Sequence, residues 1–192
     1  MSESATMDAL HSNPPAPAPV TIARGVRIFL ASRSPRRREL LADAGYLFDF
    51  DHPGLEDSDL VNGSVSPRQW VASLAYLKAR AGVDVARQTR RTPDLVLGAD
   101  TACVMDDRLI GTPRDAAEAR AMIRAFADRE HDVVSGLALI CMKSGKRILA
   151  SDTARVWVGS LSEAQIDEYI ASGLWQGKAG AYNLTERIAA GW

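Results

Sequence analysis

Apolar residues along the chain fall into short runs and stripes divided by polar punctuation. Val26-Arg-Ile-Phe-Leu-Ala31 is a compact run rich in β-branched and aromatic residues, which predicts a buried strand. Ser34-Pro35 opens a helix, with serine as N-cap and proline at the first helical position. This helix is expected to turn Leu40, Leu41 and Ala44 inward and to stop at Gly45. Leu47 to Asp51 alternates as a second strand, and Gly54 to Gly63 is an acidic loop holding Glu56, Asp57 and Asp59. Ser66-Pro67 repeats the helix-start chemistry. Its stripe is Trp70, Val71, Leu74, Ala75 and Leu77, with Gly82 just past the end. A basic segment, Arg87 to Thr92, leads to a strand through Leu95-Val-Leu-Gly-Ala-Asp100, continued by Thr101 to Met105. Asp106-Asp107 reads as a hairpin turn before Arg108-Leu-Ile. Asp115-Ala-Ala-Glu118 resembles a capping box opening a helix to about Ala127. His131 to Met142 is a long apolar strand, turned by Lys143-Ser-Gly-Lys146 and returned by Ile148 to Val158. Ser162-Glu-Ala-Gln165 caps another helix that ends before Gly173, and residues 177–183 are loop-like. Strands and helices mix without strict alternation, which predicts an α/β fold on a mixed sheet. Trp70 and Trp157 are read as core.

Composition narrows the classes. Residues 1–25 form an Ala/Pro-rich tail around Asn13-Pro-Pro-Ala-Pro-Ala-Pro, expected to be disordered, and residues 26–192 form one domain. The tail lacks a basic start followed by an apolar core, so it is not read as a secretory signal; Met7 is a second candidate start. Cations and acids nearly balance, 23 Lys+Arg against 24 Asp+Glu, which argues against a mainly electrostatic nucleic-acid binder. No apolar run reaches the roughly 18 residues needed to span a bilayer. Two cysteines and three scattered histidines make neither a disulfide scaffold nor a structural zinc site. A reducing, cytoplasmic location is the expectation. Cys103 and Cys141 lie on predicted strands as small buried residues, with no base beside either.

Four features could carry chemistry. In Ser32-Arg-Ser-Pro-Arg-Arg-Arg38, a helix N-terminus, the hydroxyls of Ser32 and Ser34, and the forks of Arg36 and Arg37 suit a phosphate. The alternative is a solvated basic turn paired with Glu39 or Asp43. Asp100 follows an apolar strand and a Gly-Ala pair that leaves room for a ligand. It could bind a divalent cation or act as general base, or it could be a turn aspartate. Glu56-Asp57 would recruit Mg²⁺ or Mn²⁺ beside a polyphosphate, or else it is merely solvated. Lys78, beside the apolar stripe, either snorkels to water or points into a cleft. Lys178 within Gly-Lys-Ala-Gly has the same two readings. No GxxxxGK[ST] or GxGxxG is present.

Together these segments resemble the Maf family of nucleotide pyrophosphatases. The likeness rests on residues 30–41 (Leu-Ala-Ser-Arg-Ser-Pro-Arg-Arg-Arg-Glu-Leu-Leu), 74–79, Gly-Ala-Asp-Thr (98–101), 113–119, 131–139 and Lys-Ala-Gly-Ala-Tyr (178–182). It implies an extended mixed sheet flanked by helices, two lobes around a central cleft, of the Maf/ITPase type. It implies hydrolysis of nucleoside triphosphates to monophosphate and pyrophosphate with a divalent metal. The resemblance maps the general base onto Asp100, the phosphate-binding serine and arginines onto Ser32, Arg36 and Arg37, and the helix lysine onto Lys78. Arg36 and Thr101 match the branch acting on dTTP and UTP.

Three positions depart from the family pattern. Asp57 stands where the family has glutamate, Thr112 where it has the lysine of Gly-Lys-Pro, and Thr185 where the pyrimidine branch has glutamine. Losing a charge-assisted bond at Thr112 costs roughly 1.5–3 kcal/mol. A Gly-Leu-Pro segment usual in the family is not found before Trp192, so the domain reads as lacking the usual C-terminal end. A second hypothesis is therefore a catalytically impaired nucleotide-binding regulatory protein of the same fold. The implied partner is a nucleoside triphosphate, with no nucleic acid or membrane, and a homodimer is left open.

Overall fold

The computed structural model describes residues 22–23, 25–55 and 63–192. Most of the Ala/Pro-rich segment, and Glu56, Asp57 and Asp59 of the acidic loop, lie outside the described residues. The elements run β1 (Arg27–Ala31), α1 (Pro35–Asp43), β2 (Leu47–Asp51), α2 (Pro67–Gln88), β3 (Leu95–Met105), β4 (Arg108–Ile110), α3 (Ala116–Phe126), β5 (Arg129–Cys141), β6 (Arg147–Val158), α4 (Glu163–Ala171), a 3₁₀ turn (Ala179–Ala181) and α5 (Leu184–Ala189). One mixed sheet has the order β2-β1-β3-β5-β6, with β4 also paired to β3. β2, β1 and β3 are parallel, whereas β3, β5 and β6 form antiparallel pairs. Asp106 and Asp107 both have positive φ, as the tight β3–β4 hairpin requires. Among the described residues no helix is long and apolar enough to cross a membrane.

Helix α2 holds the sheet together from one side. It is closed by a full capping box between Ser66 and Gln69, and it buries Val71, Leu74, Ala75, Ala79, Gly82, Val83 and Ala86. That stripe is mostly small, so the helix comes very close. A Cβ at Gly98 of β3 would lie 2.1 Å from the Ala75 carbonyl oxygen, and one at Gly136 of β5 would lie 2.6 Å from that of Val71. Gly82 does not end the helix as its sequence position suggests. It sits inside α2, where a Cβ would meet the Ala31 methyl at 2.5 Å. The Gly98 gap that reads as room for a ligand is therefore filled by helix backbone. Side chains alternate along a strand, so Asp100 shares the α2 face with Gly98. Thr101 and Cys103 point to the other face, where Cys103 packs with α3, α4 and the 3₁₀ turn.

Period-two alternation outranks residue size at β6. Val156 and Val158 are buried, while Trp157 between them is 63% exposed and is not core. Trp70 is only half-buried. Helix α1 buries none of its residues, and Leu40 and Ala44 are exposed. Its apolar residues are consecutive and so spread around the helix instead of forming a stripe. Leu77 likewise faces outward on α2. Asp115 caps α3 through the Glu118 amide, but Glu118 reaches back to the Arg114 N–H, so the reciprocal half of the expected box is absent. Cys141 is half-buried and Cys103 buried. Burial pushes the Cys103 thiol up to about 12, which leaves it inert as a nucleophile at neutral pH.

His131 is buried on β5, stacked on Phe126, with Nε2 2.6 Å from the Tyr182 hydroxyl. Burial holds its imidazole below the ordinary 6.5. The unfolded chain therefore binds the proton more readily, and stability falls as pH drops below about 6.5 towards the depressed folded value. Urea unfolding at pH 5.5 and 7.5 is expected to show this slope, and His131→Gln is expected to flatten it. Gly98→Ala is expected to destabilise the protein by more than about 3 kcal/mol, because the clash is with backbone that cannot step aside. Gly111→Ala, with nothing within 4 Å, serves as the near-neutral control in the same urea series.

Candidate active site

Three parallel strands deliver their carboxyl ends to one edge of the sheet. Ala31 is in register with Asp51, so Ser32 and His52 emerge side by side. Leu30 is in register with Leu97, so β3 continues past the end of β1 and carries Asp100 just beyond it. The strand order reverses between β2 and β3 about β1, and crevices at such points, outside the carboxyl ends of strands, are where open α/β sheets bind ligands. A cleft of about 150 Å³ opens here, lined by Ala31, Ser32, Arg33, Arg37, His52, Pro53, Leu55 and Lys78.

The geometry links the cleft to the strand-end carboxylate. Arg37 donates from Nη1 to the Ser32 hydroxyl at 3.2 Å, which also accepts from the Ser34 N–H at 3.2 Å. Lys78 lines the cleft and donates from Nζ to Asp100 Oδ1 at 2.6 Å. Both partners of this pair are nearly buried, at 11% and 7% side-chain exposure. The snorkelling reading of Lys78 is thereby excluded. Such a pair withdraws two charges from water, and removing one partner of a buried pair costs roughly 3–5 kcal/mol. At the end of β2, Asp51 accepts the His52 N–H at 2.8 Å and faces Arg33 and Arg91, each at 3.5 Å. That backbone bond, with Arg33 and Arg91, holds the Asp51 carboxyl below the usual carboxylate range.

The other sequence candidates lie elsewhere. Arg36 points outward along α1 to Glu39 at 3.5 Å, so of the two arginines only Arg37 lines the cleft. Ser34 precedes α1 without a side-chain cap bond. Thr101 is exposed on the face away from α2, its hydroxyl 3.5 Å from that of Ser135. Lys178 is ion-paired with Glu186 at 2.6 Å. Thr185 is exposed in the first turn of α5, its N–H bonded to Asn183. Thr112 is exposed in the loop before α3. Glu56 and Asp57 lie outside the described residues. Sequence reasoning passed over Arg33 and His52. The available signal was their position as the first and second residues after parallel strands.

An anion in this cleft would meet Arg37 and not Arg36. Isothermal titration with pyrophosphate is expected to show about ten-fold weaker binding for Arg37→Ala and an affinity close to wild type for Arg36→Ala. Equal losses would contradict the orientation of α1.

A sequence profile described as Maf-like protein matches residues 27–191. A dTTP/UTP pyrophosphatase of Pelotomaculum thermopropionicum is 38% identical over 163 residues, spanning 85% of this chain and 82% of its own length. One from Chromobacterium violaceum is 37% identical over 158 residues, spanning 82% and 78%. One from Vibrio cholerae is 35% identical over 158 residues, spanning 82% and 80%. With a profile running through nearly every described element, and relatives matched over most of both chains, the chain belongs to the Maf family.

Proposed function

We propose that the protein is a nucleoside triphosphate pyrophosphatase, converting a (deoxy)nucleoside triphosphate and water to the monophosphate and pyrophosphate. The observation that carries this is the 2.6 Å contact of Lys78 with Asp100, which joins a buried strand-end carboxylate to the cleft of Ser32 and Arg37. Ser32, Arg37 and Lys78 hold the phosphates, with Ser34 beside them at the N-cap of α1, its N–H on the Ser32 hydroxyl. Asp100 takes a proton from the attacking water as its oxygen bonds the α-phosphorus; the bond to the bridging oxygen breaks and pyrophosphate leaves. Position and electrostatics carry such a transfer more than covalent chemistry does.

The residues suit a divalent cation. Magnesium and manganese take oxygen ligands and fill their shells with substrate phosphate and water, so one or two carboxylates suffice. Among the described residues no group of three ligating side chains is gathered, and such a group is not needed. Asp100 would hold the ion together with Glu56 or Asp57. Bound there, it supplies positive charge against the charge that develops on the phosphates.

The finer reading is preference for pyrimidine triphosphates; Arg36, Thr101, Thr185 and Lys178, which the resemblance assigns to specificity and substrate contact, do not line the cleft, so the preference is not assigned to them. It is supported by the names of the relatives, dTTP/UTP pyrophosphatases. Retention of Ser32, Arg37, Lys78 and Asp100 as one connected group disfavours the non-catalytic alternative.

The test is pyrophosphate release from a panel of nucleotides with Mg²⁺ or Mn²⁺. Turnover is expected with dTTP and UTP, and Asp100→Asn is expected to lower kcat by about a hundred-fold or more while nucleotide binding persists. Undiminished turnover in that variant removes Asp100 from its role.

A further inference from the structure

Among the described residues, the apolar clusters leave part of one sheet face bare. Leu97, Leu139 and Ile148 are in register across β3, β5 and β6, with Leu137 next along β5 on the same face. Gly98, Gly136 and Ala138 face α2, so alternation turns these leucines and Ile148 away from it. None of them belongs to the clusters under α2, α3 and α4. Leu137 and Ile148 are 47% and 48% exposed. Here lies a groove of about 790 Å³, lined by Leu139, Cys141 and Ile148. Its walls carry Arg87, Arg91, Lys143 and Lys146 against a single acid, Asp94. Arg91 is committed to Asp51, and Asp94 to the Arg27 N–H. Lys143 and Lys146 are exposed, and among the described residues neither forms an ion pair. An apolar floor edged by unmatched cations suits a segment that is both apolar and acidic.

Such a segment is tethered at the groove. Ile22, where the described chain begins, lines it together with Leu139 and Ile148. Residues 1–21 precede the part matched by the family profile, and they hold Glu3 and Asp8 with no lysine or arginine. Met7 and Leu10 stand on either side of Asp8. Pro14, Pro15, Pro17 and Pro19 bring no N–H that an apolar surface would leave unsatisfied. The chain from Asp8 to Ile22 extends to about 45 Å at most, enough to bring Asp8 back to lysines that share the groove with Ile22. We propose that residues 1–21 dock on this face of their own chain, with Met7 and Leu10 against Leu139 and Ile148, and Glu3 and Asp8 toward Lys143 and Lys146. Attachment at Ile22 gives the segment an effective concentration on the order of millimolar, which a second copy does not match in dilute solution. The groove shares no lining residue with the phosphate cleft, so the docking and the hydrolysis are tested separately.

Cys141 reports on the groove from within. It lines the groove and is half-buried, and the Ser144 hydroxyl and the turn amides hold its thiol below the ordinary value, whereas Cys103 is inert. Alkylation of Cys141 by iodoacetamide is followed by mass spectrometry on the full chain, with thermal unfolding as the check that each variant folds. Leu10→Asp is expected to react about ten-fold faster than wild type, as docked segments leave the groove. The added negative charge by itself would slow the thiol, so a faster reaction reports uncovering. Glu3→Lys with Asp8→Lys is expected to accelerate it as well. A rate unchanged or lowered in Leu10→Asp overturns the docking. Carbodiimide coupling of an equal mixture of ¹⁴N- and ¹⁵N-labelled chain then identifies the occupant. Links from Glu3 or Asp8 to Lys143 or Lys146 are expected within one isotope only. Links that join the two isotopes assign the face to a second copy, and the absence of any such link denies the charge pairing; either result overturns the proposal.

Discussion

Backbone contact between α2 and the sheet sets the position of the candidate chemistry. Because Gly98 and Gly136 carry no side chains, the helix settles directly on β3 and β5. Lys78 lies one residue before Ala79, whose backbone nitrogen fills the Gly98 gap. Asp100 lies two residues beyond Gly98 on the same face. A longer separation between helix and sheet would put the ammonium out of reach of the carboxylate. The 2.6 Å bond thus follows from the absence of two side chains as much as from the presence of two charged ones. The contact also explains why a stripe as small as Ala75, Ala79, Gly82 and Ala86 supports a long helix: close approach replaces bulk as the source of packing.

The parallel strands supply the second constraint. In a parallel set, strand ends of the same polarity lie together, so the residues that follow β1 and β2 become neighbours without any long loop to bring them in. Ser32, Arg33 and His52 reach the cleft this way. Among the described residues, the result is a wall of donors with Asp100 held at its back by an ammonium. Burying that pair is unfavourable in solvation, and its placement against the cleft gives a functional reason for keeping it. Asp51 is a second acid at the same edge, and Arg33, Arg91 and the following amide commit it to holding the loop.

Much of this was legible in the residues. Capping serines, turn glycines and period-two alternation gave most of the elements, and Ser32, Arg37, Lys78 and Asp100 stood out as chemistry. What could not be read has particular physical causes. Arg36 and Arg37 differ by about 100° of rotation on a helix, and α1 has no apolar stripe to fix its phase. The Gly98 gap admits a ligand or a helix equally well until the helix is placed. His52 looks like an ordinary loop residue until the pairing of β1 with β2 is known. Trp157 reads as core in the sequence, whereas its parity on an edge strand decides its exposure. The missing information in each case is tertiary: phase, approach or pairing.

Strand β3 also ties the site to the rest of the molecule. Val96 belongs to the core under α2, Val104 to the small core with Val71 and Val134, and Cys103 to the core beneath α3 and α4. Asp100 is thus borne by an element that all three apolar clusters share. Loop-borne catalytic groups can open and reclose while the remainder stays folded. A carboxylate mounted on the shared spine has no such independence, so local fraying does not release it, and heat inactivation of this protein should coincide with loss of the whole cooperative structure.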